Sequence, residues 1–195
     1  MKQTLYVDCC VRREDSRTAK LAEAFLHALP EEYAVTRIDL MTEGLQPLMT
    51  GSLKERDVLL AVGKRDHPRF RYAHQIAAAD LVVMAAPFWD LSFPAALKIY
   101  IENVSVDGIT FRSTEKGLEG LCRGTDLVFL TTRGGIYGEG SSWEQAVPYL
   151  AAIKEFFGFK RFHAIAADGM DLRGFDAAGA LAEACSRAEA LAGSL

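Results

Sequence analysis

The sequence has little of what marks several large classes of function. Its four cysteines, Cys9, Cys10, Cys122 and Cys185, are dispersed without a Cys-x-x-Cys pair. That pattern fits a reduced, cytoplasmic protein better than a disulfide framework. His27, His67, His74 and His163 show no metal-ligand spacing, so no metal site is expected. No apolar run approaches the ~20 residues that a membrane span requires. The stretch between Met1-Lys2-Gln3 and Asp8 is too short for a signal-peptide core. Basic excess is missing too: the formal net charge of −4 argues against nucleic acid as a partner, because neutralising phosphates needs a basic surface. No Gly-x-Ser-x-Gly elbow offers a hydrolase nucleophile. No internal repeat, linker or low-complexity tract divides the 195 residues, and residues 1–195 are expected to form one domain.

What is present is apolar material, 50% of the residues, arranged in short runs that alternate with helical patterns. Thr4 to Val7 reads as a first strand. Ser16, an N-cap type of residue, precedes Leu21, Ala24, Phe25, Ala28 and Leu29 at helical spacing, and Pro30 stops that helix. Tyr33–Leu40 alternates as a second strand, and a helix is expected from Leu53 to Val62. Leu81-Val82-Val83-Met84-Ala85-Ala86 has no polar alternation, as a parallel strand buried on both faces requires. Pro94 opens an apolar-rich helix through Val104. After an excursion from Ser105 to Gly124, with a short strand or hairpin arm at Gly108–Arg112, Asp126–Thr132 is a fourth strand. Ser141 and Ser142 are expected to cap a helix carrying Trp143, Val147, Tyr149, Leu150 and Ile153. Phe162–Ala167 is a fifth strand, and Ala177–Leu191 a closing helix. The pattern predicts an α/β, doubly wound parallel five-stranded sheet of order 2-1-3-4-5 with helices on both faces. In that order strands one, three and four are central neighbours, and their loops converge at one crevice.

Those three loops carry the chemistry. Ser16-Arg17-Thr18 begins the first helix, where free amides and the positive end of the helix dipole favour a phosphate; a simple cap beside solvated side chains is the plainer alternative. The vicinal Cys9 and Cys10 do not fit a phosphatase loop, because Asp15 and Ser16 stand where its arginine belongs. They read as small apolar residues at a strand end. Pro87-Phe88-Trp89-Asp90-Leu91 places two flat apolar groups at the carboxyl edge of the sheet, where they must cover something. A planar ring system or a protein interface would each satisfy them. Thr132-Arg133-Gly134-Gly135-Ile136-Tyr137-Gly138-Glu139-Gly140 follows the fourth strand, and its glycines allow close backbone approach to a ligand. The spacing is not the dinucleotide fingerprint. The basic run Lys64–Arg71 reads as a solvated face or as a contact for the phosphates of a pyridine nucleotide.

With those loops in place, the chain resembles the flavodoxin-like FMN-dependent NAD(P)H:quinone oxidoreductase and azoreductase family over nearly its whole length. The likeness is most specific at Ala85–Phe93, Leu97-Lys98-Ile99-Tyr100, Gly108–Arg112 and Thr132–Ile136. It implies FMN as cofactor, NADH or NADPH as electron donor, quinones or azo compounds as acceptors, and a homodimer. It implies that Ser16, Arg17 and Thr18 hold the flavin phosphate, with Cys9 where many relatives have serine. It further implies that Pro87, Phe88, Trp89, Asp90 and Leu91 line the ring and that Thr132, Arg133, Gly134 and Gly135 meet its other polar edge. Tyr137 matches a histidine or tyrosine near the flavin, and is the one catalytic candidate. Phe111 and Phe156 match substrate-pocket positions of dimeric relatives.

Two departures from the family pattern concern the cofactor. Cys9 removes a hydroxyl donor from the phosphate end. Asp90 replaces an asparagine, and a carboxylate there only accepts hydrogen bonds and would lower the flavin potential. Two other classes compete with the enzyme: a flavodoxin-like carrier of single electrons, and a cofactor-free sheet domain that docks a protein on its aromatic turn.

Overall fold

The computed structural model describes residues 1–138 and 140–195; Glu139, in the glycine-rich loop, lies outside them. Five parallel strands form the main sheet: β1 (Lys2–Asp8), β2 (Tyr33–Asp39), β3 (Leu81–Ala85), β6 (Asp126–Thr132) and β7 (Arg161–Ala167), in the order β2-β1-β3-β6-β7. Taken along the chain this is the expected 2-1-3-4-5. The intervening pair β4 (Phe111–Thr114) and β5 (Gly117–Gly120) forms a separate antiparallel hairpin. The arm expected at Gly108–Arg112 thus starts at Phe111 and gains a partner.

Every residue of β3 and β6 is buried, which explains their apolar runs. Side chains alternate between two cores because a strand has period two. Leu5, Val7, Val82, Met84, Leu127 and Phe129 face one layer, with α3 (Arg71–Ala78), α4 (Ala95–Val104) and α5 (Ala146–Phe157). Tyr6, Val83, Ala85, Val128 and Leu130 face the other, with α1 (Arg17–His27) and α6 (Ala177–Gly193). The remaining helix, α2 (Thr50–Ala61), buries none of its residues. No helix among the described residues is long and apolar enough to cross a membrane.

Local chemistry sets the helix ends. Ser16 caps α1, its hydroxyl accepting from the Ala19 amide at 3.2 Å, as its position predicts. The expected start of α2 at Leu53 moves to Thr50, because Ser52 exchanges hydrogen bonds with the Met49 backbone and closes an extra turn. The start of α5 moves the other way. The Glu144 carboxylate, not Ser141 or Ser142, accepts from the Ala146 and Val147 amides, both at 3.1 Å. Trp143 consequently lies outside the helix and stays 63% exposed. Gly158 ends α5 in the left-handed region, with φ of 89°.

At the opposite edge of the sheet from the loops of interest, Asp126 receives two 2.7 Å hydrogen bonds from Arg161 and one 2.8 Å contact from His163. Burial opposes ionisation of Asp126, but the bonds from Arg161 and His163 outweigh it and hold its carboxyl below the usual range. A depressed carboxyl contributes stability above its unfolded value, near ~3.9, and loses it as pH falls through the folded one. Denaturant melts of the native chain and Asp126→Asn should therefore differ most near neutral pH and converge below about pH 3. A gap that persists unchanged into acid would contradict this. The hairpin offers a second test. A Cβ on Gly120 would fall inside the backbone of Phe157 and Gly158. Gly120→Ala should cost about 2 kcal/mol of stability in equilibrium unfolding.

Candidate active site

At the carboxyl ends of β1, β3, β6 and β7 four loops meet around one cleft. Arg12, Asp15, Ser16, Arg17 and Thr18 line one end of it. Pro87, Phe88 and Trp89 form a wall, opposite Thr132, Arg133 and Gly134. Met170 and Asp171, from the loop after β7, complete it.

The first end is built from a helix terminus. The Arg17 and Thr18 amides open α1 and donate to no acceptor among the described residues. Thr18, 1% exposed, shares a 2.7 Å hydrogen bond between its hydroxyl and that of Thr132, tying the first loop to the third. Arg17 donates to the Met170 carbonyl at 2.7 Å and to Asp171 at 3.0 Å, clamping α1 to the loop after β7. Cys9 and Cys10 are buried beneath this loop, and burial pushes the Cys9 thiol up to about 12. The thiol of Cys9 therefore lies in the core, off the cleft wall.

The aromatic wall is a tight turn. Trp89 and Ser92 exchange backbone bonds of 3.0 and 2.8 Å around Asp90 and Leu91, whose φ values are 48° and 67°. Two successive positive φ values are the signature of the mirror-image hairpin turn that usually takes Asn-Gly. Asp90 and Leu91 occupy its exposed tip, outside the cleft walls, and Leu91 adopts a conformation costly for its side chain. The turn is anchored by the Phe88 amide, which donates to the Thr132 carbonyl at 3.0 Å.

Behind that wall lies a buried charge. Arg133 is 7% exposed, with its guanidinium carbon 5.7 Å from the centre of the Phe88 ring. Its terminal nitrogens stand 3.5 Å from Glu144 and 3.5 Å from Asp168. The Tyr137 ring packs on the same Phe88 at 4.8 Å, and its amide donates to Asp168 at 3.3 Å. Tyr137 thus lines a neighbouring cavity of about 630 Å³ rather than the cleft itself. Gly134 admits the Asp171 side chain, which a Cβ would meet at 2.7 Å. Gly135 lies against Tyr137 and accepts from the Gly169 amide at 2.9 Å.

Phe111 and Phe156 stack on one another at 4.5 Å, lining a separate pocket with Tyr149 and Leu48. The structure brings neither to the cleft within one chain. The arginines of the basic run are spent on neighbours: Arg65 on the Asp107 carbonyl, Arg69 on the Ser52 carbonyl, Arg71 on Glu43. Among the described residues no group of three or more His, Cys, Asp or Glu is placed to hold a metal ion.

The sequence reading missed Arg12, Asp15, Met170 and Asp171 on the cleft, and Glu144 and Asp168 beside Arg133. For the loop after β7 a signal existed: Asp168-Gly169 follows the strand next to β6 in the predicted order. The turn conformation supplies a test. Leu91→Gly should relieve the left-handed strain and raise stability by about 1 kcal/mol, read as a higher denaturant midpoint. A lower midpoint would contradict the turn geometry.

A family model described as a flavodoxin-like fold matches residues 2–192. The FMN-dependent NADH:quinone oxidoreductase 2 of Clostridium acetobutylicum is 39% identical over 196 residues, covering 97% of each chain. Its namesake from Clostridium perfringens is 36% identical over 197 residues, covering 98% of each. Among solved structures, an azoreductase from Bacillus anthracis superposes with a TM-score of 0.88 at 28% identity and full coverage of both chains. The chain belongs to the flavodoxin-like family that contains these FMN-dependent NADH:quinone oxidoreductases and azoreductases.

Proposed function

We propose that this chain is an oxidoreductase that binds FMN in the four-loop cleft and moves two electrons from NADH or NADPH to quinones, azo compounds or related aromatic acceptors. The observation that carries the reading is the shape of the cleft. A helix terminus with unused amides stands at one end, and flat side chains line the other, at the switch point of a doubly wound sheet. The names of the relatives favour NADH over NADPH as donor.

The residues present fit this cofactor. The Arg17 and Thr18 amides, the Ser16 hydroxyl and Arg12 offer donors to a phosphate. Arg17 contributes the part of its guanidinium that Met170 and Asp171 leave free. Asp15 on the same wall opposes an anion and tempers the site. Phe88 and Trp89 flank the flat ring, and Thr132, Arg133 and Gly134 stand at its polar edge. When bound, FMN supplies hydride acceptance and donation. The chain orients the reactants, and Tyr137 packs against Phe88 from the neighbouring cavity, supporting the aromatic wall. Donor and acceptor share one open face, so they take turns there. Ping-pong kinetics follow.

The reading includes a homodimer in the cytoplasm. α2 has no fully buried residue, only Leu59 and Leu60 resting half-buried on the core, and Met49, Leu53, Val58 and Val62 are exposed on and beside it. A second copy would cover this side, and the resemblance implies that Phe111 and Phe156 then help form the substrate pocket, as in dimeric relatives. The four unpaired cysteines suit a reducing compartment.

Stopped-flow mixing with NADH should bleach the flavin without any acceptor, and a quinone should then restore its colour. Initial-rate plots at several quinone concentrations should be parallel. Flavin that keeps its colour at saturating NADH and NADPH would reject the enzyme, and intersecting plots would reject the alternating use of one site. Ser16→Ala should weaken FMN binding about tenfold, the scale of one hydrogen bond to a charged group, as measured by fluorescence titration.

A further inference from the structure

Arg133 is an unusual group to find behind an aromatic wall. It is 7% exposed, and its Nε has no hydrogen-bond partner among the described residues. Both carboxylates near it stand off at 3.5 Å. Glu144 is already engaged, since it accepts from the amides that open α5. Asp168 is engaged only through Oδ2, which accepts from the Tyr137 amide at 3.3 Å; its Oδ1, the atom nearest Arg133, is buried and lacks a hydrogen-bond partner. A buried guanidinium with bonds left unmade costs free energy that the fold has to offset elsewhere. Packing alone gives no reason to keep it, because an apolar side chain would fill the same place behind Phe88.

The positions supply a reason. Phe88, Arg133 and Gly134 all line the cleft, and the Arg133 guanidinium carbon is 5.7 Å from the centre of the Phe88 ring. Arg133 lines both the cleft and the second cavity, whereas Glu144 and Asp168 line only the second cavity. The charge nearest the cleft from this cluster is therefore positive, with its two counter-charges set behind it. Hydride transfer from a nicotinamide adds one negative charge to a neutral ring while the nicotinamide is oxidised. A fixed positive charge behind the ring's wall favours that change, and it acts more strongly in a buried place than it would in water.

We propose that Arg133 is a buried counter-charge that favours the reduced form of the flavin, and that Asp168 is a positioning residue that sets its strength. The proposal rests on the FMN reading above and extends it to residues that make no hydrogen bond into the cleft. Asp168 holds the guanidinium against Phe88 and partly neutralises it, so the two residues pull the potential in opposite directions. A merely structural pair would not do so, because losing either partner would loosen the same loop in the same way.

The test measures dissociation constants for oxidised and reduced FMN in the native holoprotein, in Asp168→Asn and in Arg133→Gln. Asp168→Asn should shift their ratio about tenfold towards the reduced form and raise the midpoint potential. That is the scale of a unit charge changed a few side-chain lengths away at an effective dielectric of ~20. Arg133→Gln should shift both quantities the other way, and Arg133→Lys should restore most of the native value. Shifts of the same sign in Asp168→Asn and Arg133→Gln, or no shift in a variant that still binds FMN, would overturn the proposal. Should Arg133→Gln not fold, the sign of the Asp168→Asn shift alone decides it. A native chain that binds no FMN would instead remove the flavin reading, and this proposal with it.

Discussion

The chain leaves β1 and β3 towards opposite faces of the sheet, α1 packing on one core and α4 on the other, and the crevice between those departures is what the site depends on. Neighbouring parallel strands whose helices diverge leave the carboxyl edge uncovered at that point. Everything on the cleft wall follows from this split. The start of α1 is exposed to it with unused amides, and the residues after β3 enter a tight turn instead of a helix. The two are then locked together across the sheet by the Thr18–Thr132 hydroxyl pair and by the bond from the Phe88 amide to the Thr132 carbonyl.

The second organising feature is the way the loops after β6 and β7 are zipped to one another. Arg133 donates to the Ala167 carbonyl, Met170 to the Arg133 carbonyl, Asp171 to that of Gly134, and Gly169 to that of Gly135, all within 3.1 Å. Four backbone bonds of this kind make Arg133-Gly134-Gly135 a rigid ledge. They also explain why glycine stands at 134, where the Asp171 side chain fills the space a Cβ would need. Arg17 closes the ring of loops by reaching from α1 to Met170 and Asp171. The site is thus held by contacts between segments far apart in the chain, and little of it depends on any single loop being stiff by itself.

That separation decides what the sequence could reveal. The sheet order was legible because fully buried strands must be continuous apolar runs, and Leu81–Ala85 and Asp126–Thr132 have no other reading. Phe88 and Trp89 were legible because large apolar groups at a sheet's carboxyl edge need a reason to be there. The cap of α5 was not, since Ser141, Ser142 and Glu144 are all plausible acceptors and only the folded loop chooses Glu144. Asp90 and Leu91 gave no warning of their left-handed backbone, because neither is the glycine or asparagine that such turns favour. Their exposed tip places the Asp90 carboxylate away from the cleft wall, where solvent screens it, and moves interest to the buried charge of Arg133. The contacts of Arg17 with Met170 and Asp171, and of Arg133 with Glu144 and Asp168, join residues that no local pattern connects.

The central claim is that this cleft holds FMN. It is tested most directly by purifying the chain, denaturing it and identifying by mass the small molecule released. The account predicts a yellow protein that yields one FMN per chain and, once stripped, takes up FMN again to the same ratio. A colourless protein that also fails to bind added FMN would contradict it.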